Sequence, residues 1–275
     1  MAPDFPGEER DLRFFSIQND APRHLTPEQI RHYNERGYVF PLDVFSGEEI
    51  AAHRAYFDGL TAMAEAAGLD NYGINAWHTS CAGIYDLVTE GRILDYVQDL
   101  LGETVILWGS HYFNKLPGDG KRVSWHQDAT FWALSPSKTV TVWLALDDTD
   151  VDNGAMTLIP GSHLHGAVEY VESSPEENNV LWQTVEGAPQ YGAAPVPVEL
   201  RAGQMSLHTD LLLHGSEPNL SDRRRCGLTM RFIPGDVVRT LPEWNEQAIL
   251  CRGAEPHGHF NYIARPEGDR IPEKA

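Results

Sequence analysis

The hydrophobic period of this chain changes once, near residue 104, and that change limits the folds open to it. Before it, apolar residues recur at helical spacing. TPEQIRHYNERG carries Thr26 as N-cap, Pro27 at the first helical position and Gln29 to complete a capping box, and Gly37 ends the helix. SGEEIAAHRAYFDGLTAMAEAAG repeats the device with Ser46 and Glu49 and runs to Gly68. Its Tyr56, Phe57, Leu60, Met63 and Ala64 form one stripe, which we read as core packing. GYVFPLDVF between the two reads as a short strand, and GRILDYVQDLLG as a third helix closed by glycine. After residue 104 the period is two. TVILWGSHYFNKL, KRVSWHQD, KTVTVWLALDD, AMTLIPGS, VPVELRAGQMSLH and RRRCGLTMRFIPG are strand-like runs separated by Gly, Pro, Asp and Asn. Many short strands behind a helical lead predict a mainly β chain, a jelly roll or barrel buttressed by N-terminal helices. We read a single domain over 1–275, with a helical lead at about 25–103, a β core at about 104–235 and an irregular tail at 236–275. The segment 166–195, rich in Glu, Asn, Gly and Pro, reads as a long excursion between strands that covers a site.

Charge narrows the partners. Lys and Arg total 21 against 40 Asp and Glu, a net charge of −19, which disfavours nucleic acid and anionic membrane surfaces. The three cysteines, Cys81, Cys226 and Cys251, form neither a disulfide framework nor a CxxC pair, as in a reducing compartment. MAPDFPGEERDLRFF has acids and prolines where a signal peptide needs a basic start and an apolar run. No stretch approaches the ~18 continuous apolar residues of a membrane span. The expectation is a soluble, cytoplasmic protein that acts on a small molecule, with neither nucleic acid nor membrane as partner.

Within the β region, residues 125–132 read WHQDATFW. On a strand, residues two apart share a face, so His126 and Asp128 aim at one point while Gln127 faces away. One imidazole and one carboxylate converging suit a divalent metal, provided that a third ligand arrives from elsewhere. Two later segments offer one. GSHLHGAVE places His163, His165 and Glu169 at a spacing similar to part of a cupin metal motif, but Thr157 and Glu176 stand where that motif has glycines, and His163 follows an Ile-Pro-Gly-Ser turn. GQMSLHTDLLLHGSEPNLSDRRRCGLTMRF offers His208 and His214; His214 closes an apolar strand, and Arg225 opens the next one eleven positions later. His208 reads as a packing or hydrogen-bonded residue.

H-x-D followed downstream by H-G-S and an arginine resembles the phytanoyl-CoA dioxygenase family, and VWLALDDTDVDNGAMTLIPGSHLHG and HYFNKLPG are similar to the family's pattern before and between those positions. The resemblance covers roughly residues 25–235. It implies a double-stranded β-helix (cupin-like jelly roll) and an iron(II)- and 2-oxoglutarate-dependent dioxygenase. Such an enzyme spends O2 on 2-oxoglutarate, releases succinate and CO2, and hydroxylates an unactivated carbon. His126, Asp128 and His214 carry over as the iron ligands, a facial triad that leaves three coordination positions open. Arg225 carries over as the partner of the remote carboxylate of 2-oxoglutarate, with Ser216 and Asn114 as further cosubstrate contacts; Arg223 shares the strand face of Arg225 and is the alternative if the register slips. Phe131 and Trp132 would form one wall, with His111, Tyr112 and Arg231 as polar contacts if they point inward. A small polar metabolite, such as an amino acid derivative or a phosphonate, suits the segment better than an acyl-CoA, because basic residues cluster only at 223–225. A halogenase of the same fold would have Ala or Gly at position 128. The other readings are a cupin-type metalloenzyme on His163, His165 and Glu169, and a non-catalytic metal-binding β-barrel.

Overall fold

The computed structural model describes residues 8–69, 74–241, 247–254 and 257–272. Helix α1, Pro27–Arg36, and helix α2, Gly47–Ala66, start at Thr26 and Ser46, and both capping boxes form. In the stripe on α2, Phe57, Leu60 and Ala64 are buried and Tyr56 and Met63 pack against the same core. Two further helices follow, α3 at Ala82–Val88 and α4 at Gly91–Leu101. The sequence pattern marks α4 but not α3, which is two turns long and begins at Cys81 without a side-chain cap.

The strands of the two main sheets, in chain order, are β1 Tyr38–Asp43, β2 Val105–Lys115, β3 Val123–His126, β4 Val140–Ala145, β5 Met156–Leu158 and β6 Val196–Pro197. They continue with β7 Gln204–Thr209, β8 His214–Ser216, β9 Arg225–Ile233, β10 Gln247–Arg252 and β11 Asn261–Tyr262. The larger sheet runs β1-β7-β4-β9-β2-β10-β11 and the smaller runs β3-β8-β5-β6. This is the double-stranded β-helix, with a cavity between the sheets.

The larger sheet sorts its side chains by strand parity. Val140, Val142 and Leu144 of β4, Met205 and Leu207 of β7, and Leu228, Met230 and Phe232 of β9 join the helices in one core. The alternate residues Thr141, Trp143, His208, Arg225, Thr229 and Arg231 line the cavity. Helices therefore cover one face of the sheet and chemistry occupies the other.

Two expectations need correction. The tail after 236 is not wholly irregular: β10 lies antiparallel to β2 through Ile249↔Leu107 and Leu250↔Ile106, and Ala248 and Phe260 are buried. Its Pro, Gly and charged neighbours hide a strand whose inward side is supplied by β2. The run at 196–208 is two strands in different sheets, β6 and β7, parted by a turn at Ala202–Gly203. The segment 166–195 forms a two-stranded ribbon, Val171–Glu172 with Gln183–Thr184, its Val185 and Ala188 are buried in a small core with Ile159 and Leu213, and its Val180 and Leu181 reach the cavity.

Gly227 sits in the middle of β9, where an added Cβ would lie 2.1 Å from Cζ2 of Trp143. Overpacking of this kind costs about 1–3 kcal/mol. Gly227→Ala is thus expected to lower the midpoint of thermal unfolding followed by circular dichroism. An unchanged midpoint would mean that Trp143 has room to retreat.

Candidate metal centre

The centre begins with strand pairing. β3 and β8 run antiparallel with His126 and His214 as direct Cα partners, so the two imidazoles stand side by side, ring centroids 4.1 Å apart. Each ring is fixed by the backbone carbonyl two residues before it. Nδ1 of His126 lies 2.8 Å from the Ser124 carbonyl, and Nδ1 of His214 lies 3.0 Å from that of Leu212. A carbonyl only accepts, so both Nδ1 atoms carry the proton and both Nε2 lone pairs face inward.

Asp128 reaches the same point by a different route from the one its spacing suggests. β3 ends at His126, and Asp128 opens a 3-10 turn, Asp128–Phe131, instead of continuing the strand. The turn is tied down by Ala129 N donating to Asp210 O at 3.0 Å and by Thr130 Oγ1 donating to Gln127 O at 2.8 Å. Asp128 Oδ1 then lies 3.6 Å from His126 Nε2 and 3.8 Å from His214 Nε2, and Thr141 Oγ1 donates to Oδ2 at 3.3 Å. Among the described residues, these three form the one group whose donor atoms all lie within 4.8 Å of one another. Gln127 faces away as parity requires: its amide donates to the Gly166 and Leu211 carbonyls and accepts from Val168 N, which fastens the start of the 166–195 segment behind the centre.

The electrostatics suit a cation. Burial alone would raise the pKa of Asp128, but its contact with His126, the neighbouring His214 and the charge of Arg231 hold the carboxyl well below the usual carboxylate range. Burial, with His126 next to it, pushes His214 down to about 3, so the ring stays neutral and keeps its lone pair. Two imidazoles and one carboxylate, buried and preset, are a donor set for a divalent transition metal with open positions.

The centre opens into a cavity of about 470 Å³, in the lower half of the range for small-molecule sites. Arg225 and Ser216 line it, and so do Phe131, Trp132, His111 and Arg231. Nε and Nη2 of Arg225 donate to the Gly154 carbonyl at 3.1 and 2.6 Å, and its guanidinium carbon lies 5.4 Å from the Trp143 ring. Gly154 holds a φ of +77°, and a Cβ there would meet the Glu217 carbonyl at 2.6 Å, so a side chain at this turn would disturb the seat of Arg225. Arg223 lies outside, paired with Asp150, and Arg224 pairs with Asp147 and Asp58.

Two expected residues are on the wrong face of β2. Asn114 and Tyr112 alternate with the cavity residues His111 and Phe113; Asn114 is buried opposite Cys226, and Tyr112 packs against Phe57 at 4.7 Å. Asn114 therefore does not line the cavity. His163 is fully buried away from the centre, with Nε2 3.1 Å from the Asn34 carbonyl and its ring 4.4 Å from that of Phe14. His208, expected to pack or hydrogen-bond, instead lines the cavity with its ring 5.0 Å from His214, and neither ring nitrogen has a hydrogen-bond partner among the described residues. Lys115, the strand partner of Arg225, was not anticipated either. It donates to the Ser216 and Glu217 carbonyls, and burial together with Arg225 lowers its pKa to about 7. Parity on β2 and β7 was the available signal for His208 and Lys115, but it marks a face and not what lies there.

Residues 33–227 match the family model for phytanoyl-CoA dioxygenase (PhyH). The chain belongs to that family. It is 29% identical over 231 residues to a probable alpha-ketoglutarate-dependent hypophosphite dioxygenase of Stutzerimonas stutzeri, covering 76% of this chain and 79% of that protein. It is 32% identical over 148 residues to the phytanoyl-CoA dioxygenase of Arabidopsis thaliana, covering 53% of this chain and 50% of the plant enzyme, so that match spans about half of each. Among solved structures it is similar to the non-heme monooxygenase ThoJ, with a TM-score of 0.73, 29% identity and coverage of 87% and 88%. The fold is shared by CytC3 with Fe(II) and alpha-ketoglutarate, at a TM-score of 0.67 and 20% identity over 92% of this chain and 98% of that one. The PhyH chain described here is an oxygenase that uses iron(II) and 2-oxoglutarate. Among the described residues, no helix is long and apolar enough to cross a membrane.

Replacing His126 with Ala is expected to abolish iron(II) binding in an anaerobic titration, whereas His163→Ala should lower stability and leave iron affinity largely intact. The opposite pattern would move the metal to the 163–169 cluster.

Proposed function

We propose that this PhyH protein hydroxylates an unactivated carbon of a small polar metabolite, with iron(II) held by His126, Asp128 and His214 and 2-oxoglutarate anchored by Arg225. The observation that carries the reading is one cavity lined both by the His-Asp-His donors and by a buried arginine, Arg225. With iron(II) and 2-oxoglutarate bound, O2 is consumed to give succinate, CO2 and one oxygen atom delivered to the substrate carbon. The chain supplies geometry and shelter. His126, Asp128 and His214 would hold the metal from the cavity wall, a set of three donors that leaves coordination positions for the cosubstrate and O2. Arg225, pre-set by Gly154 and Trp143, presents a planar fork to the remote carboxylate, and Ser216, two residues after His214, offers its hydroxyl to the same group. Phe131, Trp132, Trp108, Val180 and Leu181 exclude water from the reacting carbon.

The cavity volume favours a small substrate over an acyl-CoA inside it, and so does the likeness to a hypophosphite dioxygenase. The protein with iron(II) and ascorbate in air should release succinate slowly from 2-oxoglutarate without any added substrate. No succinate across a broad panel of small acids would favour a metal-binding protein without this chemistry.

Arg225→Ala removes a charge-assisted pair in a buried place. Leaving a buried charge uncompensated costs about 3–5 kcal/mol, so 2-oxoglutarate affinity should fall by roughly two or more orders of magnitude. Iron affinity should barely move. Arg225→Lys should recover part of the loss, since an ammonium cannot form the fork. Normal cosubstrate binding by the Ala variant would remove Arg225 from this role.

A further inference from the structure

The cavity holds a second arginine that the proposed chemistry leaves without a task. Arg225, Gly227, Thr229 and Arg231 share one face of β9, and Arg225, Thr229 and Arg231 line the cavity. At about 3.3 Å per residue, the Cα atoms of the two arginines stand about 20 Å apart along the strand. They mark opposite ends of the cavity, and a five-carbon diacid anchored at Arg225 does not occupy both.

Arg231 belongs to the metal's neighbourhood. Its strand partner on β4 is Thr141, whose hydroxyl donates to Asp128. Its partner on β2 is Gly109, which also lines the cavity. The guanidinium carbon lies 5.2 Å from the Trp132 ring and 5.7 Å from that of Trp108. Rings hold a guanidinium by its face, and oxyanions are recognised in its plane. The buried ring of His208, whose two nitrogens have no hydrogen-bond partner among the described residues, faces the same cavity.

The chain carries a net charge of −19, a field that repels anions from its surface. Cations inside the cavity are the local exception, and one of them is already assigned to 2-oxoglutarate.

We propose that Arg231 binds an oxyanion of the substrate, a carboxylate or phosphonate, and thereby fixes which carbon of a short apolar stem faces the metal. Trp132 and Phe131 flank that stem. The inference rests on the iron and 2-oxoglutarate reading for what is oxidised, but the oxyanion contact is separable from it.

The test is calorimetric titration of the anaerobic iron(II) and 2-oxoglutarate complex with butylphosphonate, valerate and valeramide, three probes with similar stems. Both anions are expected to bind at least tenfold more tightly than the amide. Arg231→Gln should weaken the anions by more than tenfold, a larger factor than any change in its affinity for 2-oxoglutarate, and leave valeramide unaltered. Arg231→Lys should recover part of the loss, which guards against a variant that merely folds poorly. Valeramide binding as tightly as the anions, or Arg231→Gln binding them like the wild type, would overturn the proposal. The same titrations followed by tryptophan fluorescence without iron or 2-oxoglutarate keep the two readings apart. Failure of the wild type to bind 2-oxoglutarate strikes the proposed chemistry, whereas loss of anion selectivity strikes Arg231 alone.

Discussion

The pairing of His126 with His214 across two antiparallel strands is the contact on which the site depends. Strand pairing sets the distance between the rings, and a carbonyl two residues before each histidine sets which nitrogen points inward. Neither feature needs a metal to organise it. The donors are thus in place before any ion arrives, and an ion gains the full benefit of coordination without ordering flexible side chains. The cost falls on the fold, which buries two imidazoles and a carboxylate close together, and the larger sheet and its helices supply the burial that offsets it.

β9 links the two sheets' tasks. On its outer face Cys226, Leu228, Met230 and Phe232 lock into the helical core; on its inner face Arg225, Thr229 and Arg231 look into the cavity. A single strand therefore fixes two guanidiniums relative to the metal donors with the rigidity of a core element. That matters because charge placement in a cavity is only useful if the charges cannot relax toward one another. Rings hold both in place, Trp143 for Arg225, and Trp108 and Trp132 for Arg231.

Much of this was legible in the residues, and the parts that were not share a cause. Capping boxes at Thr26 and Ser46 and the period of two after residue 104 are local signals, and the corresponding elements form. The His-Asp-His set was legible through H-x-D, H-G-S and their resemblance to a family, although spacing alone suggested an Asp128 still on the strand. Asn114 failed because motif likeness names a position without its parity: Cys226 lies opposite it in the register, which turns its side chain toward the core. β10 failed because a strand flanked by Pro and Gly owes its existence to a distant partner, Ile106 and Leu107 of β2. His208 was visible as a residue but not as a cavity wall, since only the antiparallel pairing of β7 with β4 brings it beside Thr141 and the metal donors.

Gln127 shows how these levels join. It stands between two metal-ligand positions, and strand parity sends it to the far side, where its amide is fully used: two bonds donated, to Gly166 and Leu211, and one accepted from Val168. Leu211 lies three residues before His214, and Gly166 begins the segment whose Val180 and Leu181 close the cavity. One amide thus ties the first ligand's strand to the approach of the last ligand and to the root of the covering segment. A carboxylate at 127 would accept but not donate, depriving the buried Leu211 carbonyl and the half-buried Gly166 carbonyl of this donor and placing a second anion behind Asp128. The residue between the ligands is therefore constrained by hydrogen-bond chemistry nearly as tightly as the ligands are by the metal, and the H-Q-D triplet reads as one unit, its outer members facing the chemistry and its centre holding the wall behind it.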